Sequence, residues 1–270
     1  MSRALLSAAA VALLASTAIS QSHQIIIPPY PAEAITETQW ISGPEGLDAP
    51  KNRPINQTTY EWWYFDAVQA PSENAGQHEQ AMVSMIFYTT GADGFDLLQL
   101  QFPGNTLPST NVAHITLAWP NGTSEDWLIP AGDAVFTVDS DGTSADYTGI
   151  GCAFTGAPDL SSYAVAINAR EHGIVGSLFV QSVRAILTYI YRHHVERWLT
   201  AGVQDAPAHY PCGRVEPGQN MQTAPHAGWV NAIPDGSAIA EFTVRGEKLQ
   251  FRGRGYHDHV RPILVIFFFL

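Results

Sequence analysis

The sequence is poor in positive charge. Among its 270 residues, 13 Lys and Arg stand against 25 Asp and Glu, which gives a formal net charge of -12 and a pI near 5.1. No Lys/Arg-rich run appears in the sequence. Because phosphate backbones and anionic lipids repel a protein of this charge, we expect neither nucleic acid nor a membrane surface among its partners.

Several catalytic motifs are also missing. The sequence contains no Gly-rich phosphate loop, no dinucleotide-binding fingerprint, no GxSxG elbow and no HExxH pair. Their absence removes support for redox cofactors and for Ser-His-Asp hydrolysis. His257 and His259 would share one face of a strand and can ligate zinc, but a catalytic zinc needs a third protein ligand, which no spacing supplies. We therefore expect neither a cofactor nor a metal.

Cysteine is rare as well, since Cys152 and Cys212 are the only two. In an oxidising compartment they can form one disulfide, and otherwise they are two buried thiols. Two Asn-x-Thr sequons, at Asn56 and Asn121, are candidate glycosylation sites. Both features depend on whether the chain is exported.

The longest apolar runs lie at the two ends of the chain. At the N-terminus a cation, Arg3, is followed by an apolar stretch over residues 4–15 and by small residues near position 20. This order is typical of a secretory signal peptide, which we place at residues 1–20. We therefore expect the protein in the secretory pathway or outside the cell. The C-terminal run, within residues 260–270, is too short to span a bilayer.

The remainder of the chain has the pattern of a β protein. Residues 21–59 hold six prolines, which predicts an extended lead-in without long regular elements. From Tyr60 onward, short alternating apolar segments of period two are separated by turn sequences such as Asn121-Gly122 and Asp141-Gly142. Many short strands with almost no helical pattern predict an all-β fold, an antiparallel barrel with a ligand-sized interior.

The segment YEWWYFDA, residues 60–67, is dense in aromatic and acidic side chains. On a strand these side chains alternate between two faces. One face would carry Glu61, Trp63 and Phe65, and the other Tyr60, Trp62, Tyr64 and Asp66. A carboxyl beside aromatic walls is desolvated, which raises its pKa and suits it to act as a general acid, while ring faces stabilise a developing cation. The alternative is an aromatic barrel core in which Glu61 or Asp66 bonds the backbone or faces solvent.

Four motifs, in order, give the chain a family resemblance. They are YEWWYFDA, then HYPCG at residues 209–213, WVNAIPDG at 229–236 and GRGYHDH at 253–259. On these motifs the chain resembles the hydroxyneurosporene synthase (carotenoid hydratase) superfamily over about residues 36–259. Within that superfamily it is similar to the fungal secondary-metabolite branch of Diels-Alderases and quinolone-epoxide-rearranging cyclases. The resemblance implies two lipocalin-like barrels, a substrate pocket between or inside them, and no cofactor.

Two segments depart from the family pattern. Residues 183–202 are inserted before HYPCG and have apolar residues at roughly helical spacing. Residues 260–270 replace the family's HDHNWG continuation, so that Arg261 stands where the resemblance implies a Trp. We therefore expect one lipocalin-like barrel domain over residues 60–259, with the second barrel largely missing. Both segments begin with Val-Arg, and they are either translated introns or a real helical insertion with a divergent tail.

The sequence thus predicts a cofactor-independent cyclase of fungal secondary metabolism that acts on an apolar, partly unsaturated small molecule. It would either fold the substrate for an intramolecular cycloaddition or protonate it to start a rearrangement. The catalytic candidates are Glu61, Asp66 and, because the resemblance implies acid chemistry at this position, His259. The substrate-binding candidates are Trp62, Trp63, Tyr64, Trp229 and His257. A secreted lipocalin-like carrier and an inactive fragment are the alternatives, and oligomeric state is not predicted.

Overall fold

One curled antiparallel sheet accounts for most of the described chain. The structure, a computed structural model, describes residues 22–41, 46–71, 80–183, 218, 220–224 and 226–262. Its strands are β1 (His23–Ile27), β2 (Glu37–Thr38), β3 (Asn52–Arg53), β4 (Tyr60–Gln69), β5 (Met82–Thr90), β6 (Asn111–Ala118), β7 (Ser124–Pro130), β8 (Ala134–Asp139), β9 (Gly142–Tyr147), β10 (Cys152–Gly156), β11 (Ser162–Ala169), β12 (Ile174–Ser182), β13 (Gln222–Ala224), β14 (Ala227–Val244) and β15 (Glu247–Pro262). Helix α1 (Asp96–Gln99) and the 3-10 helices Pro103–Asn105 and Arg170–His172 lie in the connections. The predicted all-β, lipocalin-like architecture is confirmed.

The sheet is built from two meanders that meet at the last strand. Its strand order is β1-β8-β9-β10-β11-β12-β14-β15-β4-β5-β6-β7, with β13 beside β14, while β2 and β3 form a separate pair. The predicted Asp-Gly and Asn-Gly turns join β8 to β9 and β6 to β7. Strand β15 pairs with β4, with His259 opposite Trp63 and His257 opposite Phe65. This pairing places the last sequence motif directly beside the first.

The inner face of the sheet is packed with aromatic side chains. Trp63, Phe65, Phe87, Phe136 and Phe154 are almost completely buried. Ring centroids are 4.6 Å apart for Trp63 and Phe136, and 5.1 Å apart for Phe87 and Phe154. Full burial of one such side chain stabilises the fold by about 1.5–3 kcal/mol, so this aromatic layer is a large part of the core.

Part of the lead-in turns into the barrel. Every residue from 46 to 52 is buried, and we call this segment the plug. The Asp48 backbone N–H donates to the Asp141 carbonyl at 3.0 Å, and the Trp63 indole N–H donates to the Asp48 carbonyl at 2.9 Å. In the described part of the chain, aromatic side chains and the plug occupy the inner face of the sheet, and a ligand-sized interior stays a prediction.

The connection between β5 and β6, residues 91–110, folds over the outer face of the sheet. Phe95 packs against Trp62 and Tyr88, with ring centroids 5.6 Å and 5.7 Å away. Leu98 of α1 is fully buried in the same cluster. The outer face of β4 and β5 is thereby partly covered, which gives its side chains a half-buried setting.

Several sequence-based expectations lie outside the described residues. They are the signal peptide, residues 184–202 of the insertion, the HYPCG motif with Cys212, and residues 263–270 of the tail. Residues 260–262 of the tail continue β15 and pair with β14. Cys152 is buried, and its disulfide with Cys212 stays a prediction. Within the described segments, no helix has the length and hydrophobicity needed to cross a membrane.

Candidate active site

The β4–β15 pair carries polar side chains on both faces of the sheet. The inner cluster consists of Asp48 from the plug, Glu61 from β4, and His257 and His259 from β15. The outer cluster consists of Trp62, Tyr64 and Asp66 from β4, Trp229 from β14, and Tyr256 and Asp258 from β15. The strand residues fall into these two clusters because successive side chains of a strand point to opposite faces of the sheet.

Glu61 is a fully buried carboxylate that the plug and His259 hold in place. Its Oε1 accepts the Lys51 backbone N–H at 2.7 Å and lies 2.6 Å from His259 Nε2. Its Oε2 accepts the Asn52 backbone N–H at 3.3 Å. Because both oxygens are bonded and no part of the side chain is exposed, Glu61 joins the plug to β4 and cannot reach a substrate while the plug is in place.

His257 lies between a carbonyl and a carboxylate. Its Nδ1 is 2.9 Å from the Tyr64 carbonyl oxygen, and its Nε2 is 3.2 Å from Asp48 Oδ2. Asp48 Oδ2 also accepts the Tyr163 hydroxyl at 2.6 Å. His257 therefore connects the Asp48 side chain of the plug to the backbone of β4.

The two histidines also stack on core aromatic rings. Ring centroids are 4.0 Å apart for His257 and Phe65 and 4.4 Å apart for His259 and Trp63, with nearly parallel planes. Both imidazoles are fully buried. Across the described segments, no group of three or more His, Cys, Asp and Glu side chains has the geometry of a metal site. The inner cluster is thus a buried polar network that fixes the plug.

The outer cluster alternates carboxyls with phenols. Across the β4–β15 pair, Tyr64 lies opposite Asp258, and Asp66 lies opposite Tyr256. The Tyr64 hydroxyl donates to Asp66 Oδ2 at 2.9 Å, and the Tyr256 hydroxyl lies 2.8 Å from Asp258 Oδ2. The Trp229 indole N–H donates to the same Asp258 oxygen at 2.9 Å. All six side chains of the outer cluster are half-buried, so the outer cluster presents surface to a ligand and the inner one does not.

Burial raises the pKa of both outer carboxyls. Desolvation is the main cause of the raised pKa of Asp66; the Tyr64 hydrogen bond opposes it and the charge of Asp258 adds to it. Desolvation also raises the pKa of Asp258, and hydrogen bonds from Tyr256 and Trp229 offset part of the effect. The Oδ1 atom of Asp258 is buried and has no hydrogen-bond partner among the described residues. Because Oδ1 has almost no accessible surface, a protonated Asp258 can donate from it to a bound molecule only after a neighbouring side chain moves.

Aromatic rings border the two carboxyls. The rings of Tyr64 and Tyr256 meet edge to face with centroids 6.1 Å apart. Trp62 stacks on Tyr60 with a centroid separation of 5.2 Å, and Phe95 supports it from the β5–β6 connection. The arrangement combines an apolar surface with a desolvated acid, which suits protonation of an apolar substrate.

The structure divides the predicted site residues between the two faces. Trp62, Tyr64, Asp66 and Trp229 belong to the outer cluster, whereas Glu61, Trp63, His257 and His259 are buried on the inner face. They do not form one site, and their catalytic and substrate-binding roles stay predictions. Glu61 has the backbone-bonded core environment that the alternative interpretation of YEWWYFDA described.

Sequence reasoning missed Asp258, Tyr256 and Asp48. Alternation within GYHDH already places Asp258 and Tyr256 on the face opposite the two histidines. Only the pairing of β15 with β4 shows that this face is the one that carries Tyr64 and Asp66. Asp48 lies in the Pro-rich lead-in, where no periodic pattern marks a residue that enters the core.

Comparison with known proteins gives one family. The family model for Diels-Alderase-like proteins matches residues 30–261. The quinolone epoxide rearrangement protein asqO of Emericella nidulans is 30% identical over 220 residues, which are 81% of this chain and 50% of that protein. The quinolone epoxide rearrangement protein penF of Penicillium thymicola is 29% identical over 225 residues, which cover 81% of this chain and 52% of that protein. The chain therefore spans about half the length of these curated relatives.

A solved structure supports the fold. The crystal structure of CghA with Sch210972 aligns at a TM-score of 0.62, with 19% identity, over 90% of this chain and 56% of that one. The structure of CghA aligns at a TM-score of 0.61 with 18% identity. At these identities the likeness shows the fold alone.

Proposed function

The chain belongs to the Diels-Alderase-like family, and from this premise we propose that it is a cofactor-independent cyclase of fungal secondary metabolism. Its substrate is an apolar, partly unsaturated small molecule, and its reaction is an acid-assisted rearrangement or cyclisation. The relatives from Emericella nidulans and Penicillium thymicola are named for the rearrangement of quinolone epoxides. An epoxide oxygen is a hydrogen-bond acceptor that needs a proton when its C–O bond opens, which fits the chemistry of the outer cluster.

The single observation that carries the proposal is the half-buried carboxyl of Asp258 on the aromatic outer face of the β4–β15 pair, whose unpartnered Oδ1 a substrate would reach once a neighbouring side chain moves. In the proposed step, the Oδ1 proton moves to the substrate oxygen while the C–O bond breaks. The bonding pair stays on oxygen, which becomes a hydroxyl, and the carbon becomes electron-deficient. Asp258 is left as a carboxylate, which the hydrogen bonds from Tyr256 and Trp229 stabilise. Migration of a substituent to the electron-deficient carbon and loss of a proton from carbon to the Asp258 carboxylate then complete the rearrangement and restore the acid.

Product formation from a quinolone epoxide by the full chain tests this function. We expect Asp258→Asn to lower kcat by about 10²–10⁴-fold, the usual contribution of a general acid. Asp126→Asn is the matched control, because Asp126 is an exposed acid on β7 of the same sheet, bonded to His114 and Thr116. Unchanged turnover in Asp258→Asn would remove Asp258 as the general acid. Substrate binding without turnover in the native chain would instead identify a carrier.

We also propose that the chain follows the secretory route and carries a glycan. The N-terminal pattern of residues 1–20 and the two sequons support this proposal. Export would also provide the oxidising compartment in which Cys152 and Cys212 can pair. Intact-mass analysis of the exported protein before and after reduction and deglycosylation tests both modifications.

A further inference from the structure

A cavity lies between the edge strand β1 and the end of the plug. Its volume is about 210 Å³, and it is lined by residues 25–28, Ala32 and residues 52–55. Strand β1 pairs with β8 on one side only, so its other side is an open edge of the sheet. None of the lining residues belongs to the inner or the outer cluster, so this cavity is separate from the candidate active site.

The walls of the cavity are largely apolar. Seven of its nine lining residues are Ile, Pro or Ala, and the other two are Asn52 and Arg53. The Asn52 side chain is already engaged, because its Oδ1 accepts the Thr38 hydroxyl at 2.6 Å and its Nδ2 donates to the Tyr60 carbonyl at 2.9 Å. Apolar cavities of about 150 Å³ stay dry and take up benzene. A cavity of this size and lining therefore favours hydrocarbon over water, with room for roughly six to eight carbon atoms.

Hydrogen bonds hold the two walls in place. On the β1 side, the Ile27 carbonyl accepts Asn111 Nδ2 at 2.9 Å. The backbone N–H of Ala32 donates to the Ile55 carbonyl at 2.8 Å, which joins the two walls directly and fixes their separation. The cavity is therefore formed before a ligand enters, and binding requires little ordering of the protein.

The mouth of the cavity lies in an apolar surface. Ile26 lines the cavity and is 60% exposed, so it marks the opening. Tyr30 and Ile35, which follow in the same stretch of chain, are 67% and 86% exposed. These three are the most exposed large hydrophobic residues of the described chain. Their concentration within residues 26–35 indicates a binding region.

We propose that this cavity is a second ligand site, which takes an alkyl group of about six to eight carbons carried by an apolar small molecule. A linear chain can lie along its walls, because β1 and residues 52–53 of β3 are both extended. A long acyl chain exceeds the volume of the cavity. The inference stands apart from the proposed function, since the residues that line this cavity take no part in the proposed reaction.

Binding at this site should also stabilise the plug. Asn52 is both a lining residue and the last residue of the plug, and its backbone N–H donates to Glu61 Oε2 at 3.3 Å. A ligand that binds only the folded chain raises its melting temperature. Thermal melting is therefore a second readout of binding, beside the affinity itself.

A series of straight-chain alcohols, from 1-butanol to 1-decanol, tests the site on the full chain by calorimetric titration. Each added CH₂ that is buried in the cavity should tighten binding about fourfold. We expect this gain up to a chain of about six to eight carbons and little gain beyond it, because the cavity is then full. No saturable binding would overturn the inference. So would a gain that continues through 1-decanol, which would indicate an open groove for a long acyl chain.

Two variants locate the binding in the cavity. Ala32→Leu adds an isopropyl group to the wall and should weaken 1-hexanol binding at least about tenfold. Ile55→Val removes one carbon from the wall, so the longest alcohol that still gains affinity should be about one carbon longer. Ala164→Leu is the matched control for the first variant, because Ala164 is exposed on β11 and does not line the cavity. It should bind the alcohols as the native chain does.

Thermal melting of each variant without alcohol checks that it is folded, and the alcohol series on the native chain needs no variant. Unchanged 1-hexanol binding in Ala32→Leu would overturn the inference and place the alcohol elsewhere, with the aromatic outer cluster as the first alternative. Equal weakening in Ala164→Leu, or an unshifted chain-length limit in Ile55→Val, would overturn it as well.

Discussion

Trp63 and His259 stack face to face across β4 and β15, with ring centroids 4.4 Å apart, and His259 Nε2 lies 2.6 Å from Glu61 Oε1. Two motifs that are almost 200 residues apart thus form one interior unit. The unit has a mechanical role, because Glu61 in turn accepts the backbone N–H groups of the plug. Its residue types are those of an acid-base site, but its full burial makes it a structural anchor.

Replacing Glu61 therefore tests anchoring against catalysis. Glu61→Gln keeps the shape but loses the negative charge that the Lys51 and Asn52 N–H groups and His259 share. We expect a loss of about 2–4 kcal/mol in the free energy of unfolding, measured by urea titration. Glu241→Gln on β14 is the control, because Glu241 is exposed. A stable Glu61→Gln variant with abolished turnover would contradict the anchoring role and restore Glu61 as a catalytic acid.

The pH dependence of the reaction should follow the raised pKa of Asp258. The active form of a general acid is protonated, so kcat/KM should fall as pH rises through that raised pKa. Desolvation raises the pKa of Tyr64 to about 12, so this phenol does not titrate in the same range. A pH-rate profile of the native chain and of Asp258→Asn measures the effect, and the variant's residual activity should lack this limb. If the fall in kcat/KM occurs at the same pH in Asp258→Asn, another group causes it, and Asp66 is the first candidate.

The same raised pKa also makes the contribution of Asp258 to folding stability fall as pH rises. At low pH Asp258 is protonated in both the folded and the unfolded chain. As pH rises, the unfolded chain loses the proton first, so the contribution of Asp258 to stability falls until the pH exceeds the raised folded pKa. We expect the melting temperature of native protein minus that of Asp258→Asn to decrease from acidic to neutral pH. A difference that increases with pH would contradict the direction of the shift.

The sequence was informative where structure is local, and it was not where structure is long-range. Alternation in YEWWYFDA correctly separated Glu61, Trp63 and Phe65 from Trp62, Tyr64 and Asp66, because the period of a strand is a property of its own backbone. Which face points inward was not predictable, since the decision rests on the pairing of β4 with β15. The burial of Asp48 could not be predicted from the sequence either, because it depends on contacts with His257 and Tyr163, which are over 100 residues away.

The two sequons differ in their surroundings, which gives a prediction about modification. Asn121 lies in the exposed β6–β7 turn, where its Oδ1 accepts the Thr123 N–H at 3.0 Å and hydroxyl at 2.7 Å. Asn56 is half-buried and its Nδ2 donates to the Ala34 carbonyl at 3.4 Å. After expression through a eukaryotic secretory route, we expect a glycan on Asn121 and lower occupancy of Asn56. Peptide mass mapping with Thr123→Ala as the control measures this, and a glycan found on Asn56 alone would contradict it.

Arg261 is the clearest misfit in the described core. Its side chain is fully buried, and none of its three guanidinium nitrogens has a hydrogen-bond partner among the described residues. Desolvation lowers its pKa to about 10, although the charges of Glu61 and Asp48 oppose that shift. The side chain lies against Gly228, where an added β-carbon would be 2.8 Å from Nε. A buried charge without a hydrogen-bonded partner costs several kcal/mol, so this position favours an apolar side chain.

Replacing Arg261 should therefore stabilise the protein. We expect Arg261→Met, which is similar in length, to raise the free energy of unfolding by about 1–4 kcal/mol, and Arg261→Trp, the residue that the family resemblance implies, to do the same if the ring fits beside Gly228. Arg252→Met is the control, because Arg252 is exposed on the same strand. Urea titration of the three variants measures the change. A loss of stability in Arg261→Met would show that the guanidinium has a partner in the folded protein, with Glu61 and Asp48 the first two carboxylates to test by double-mutant cycles.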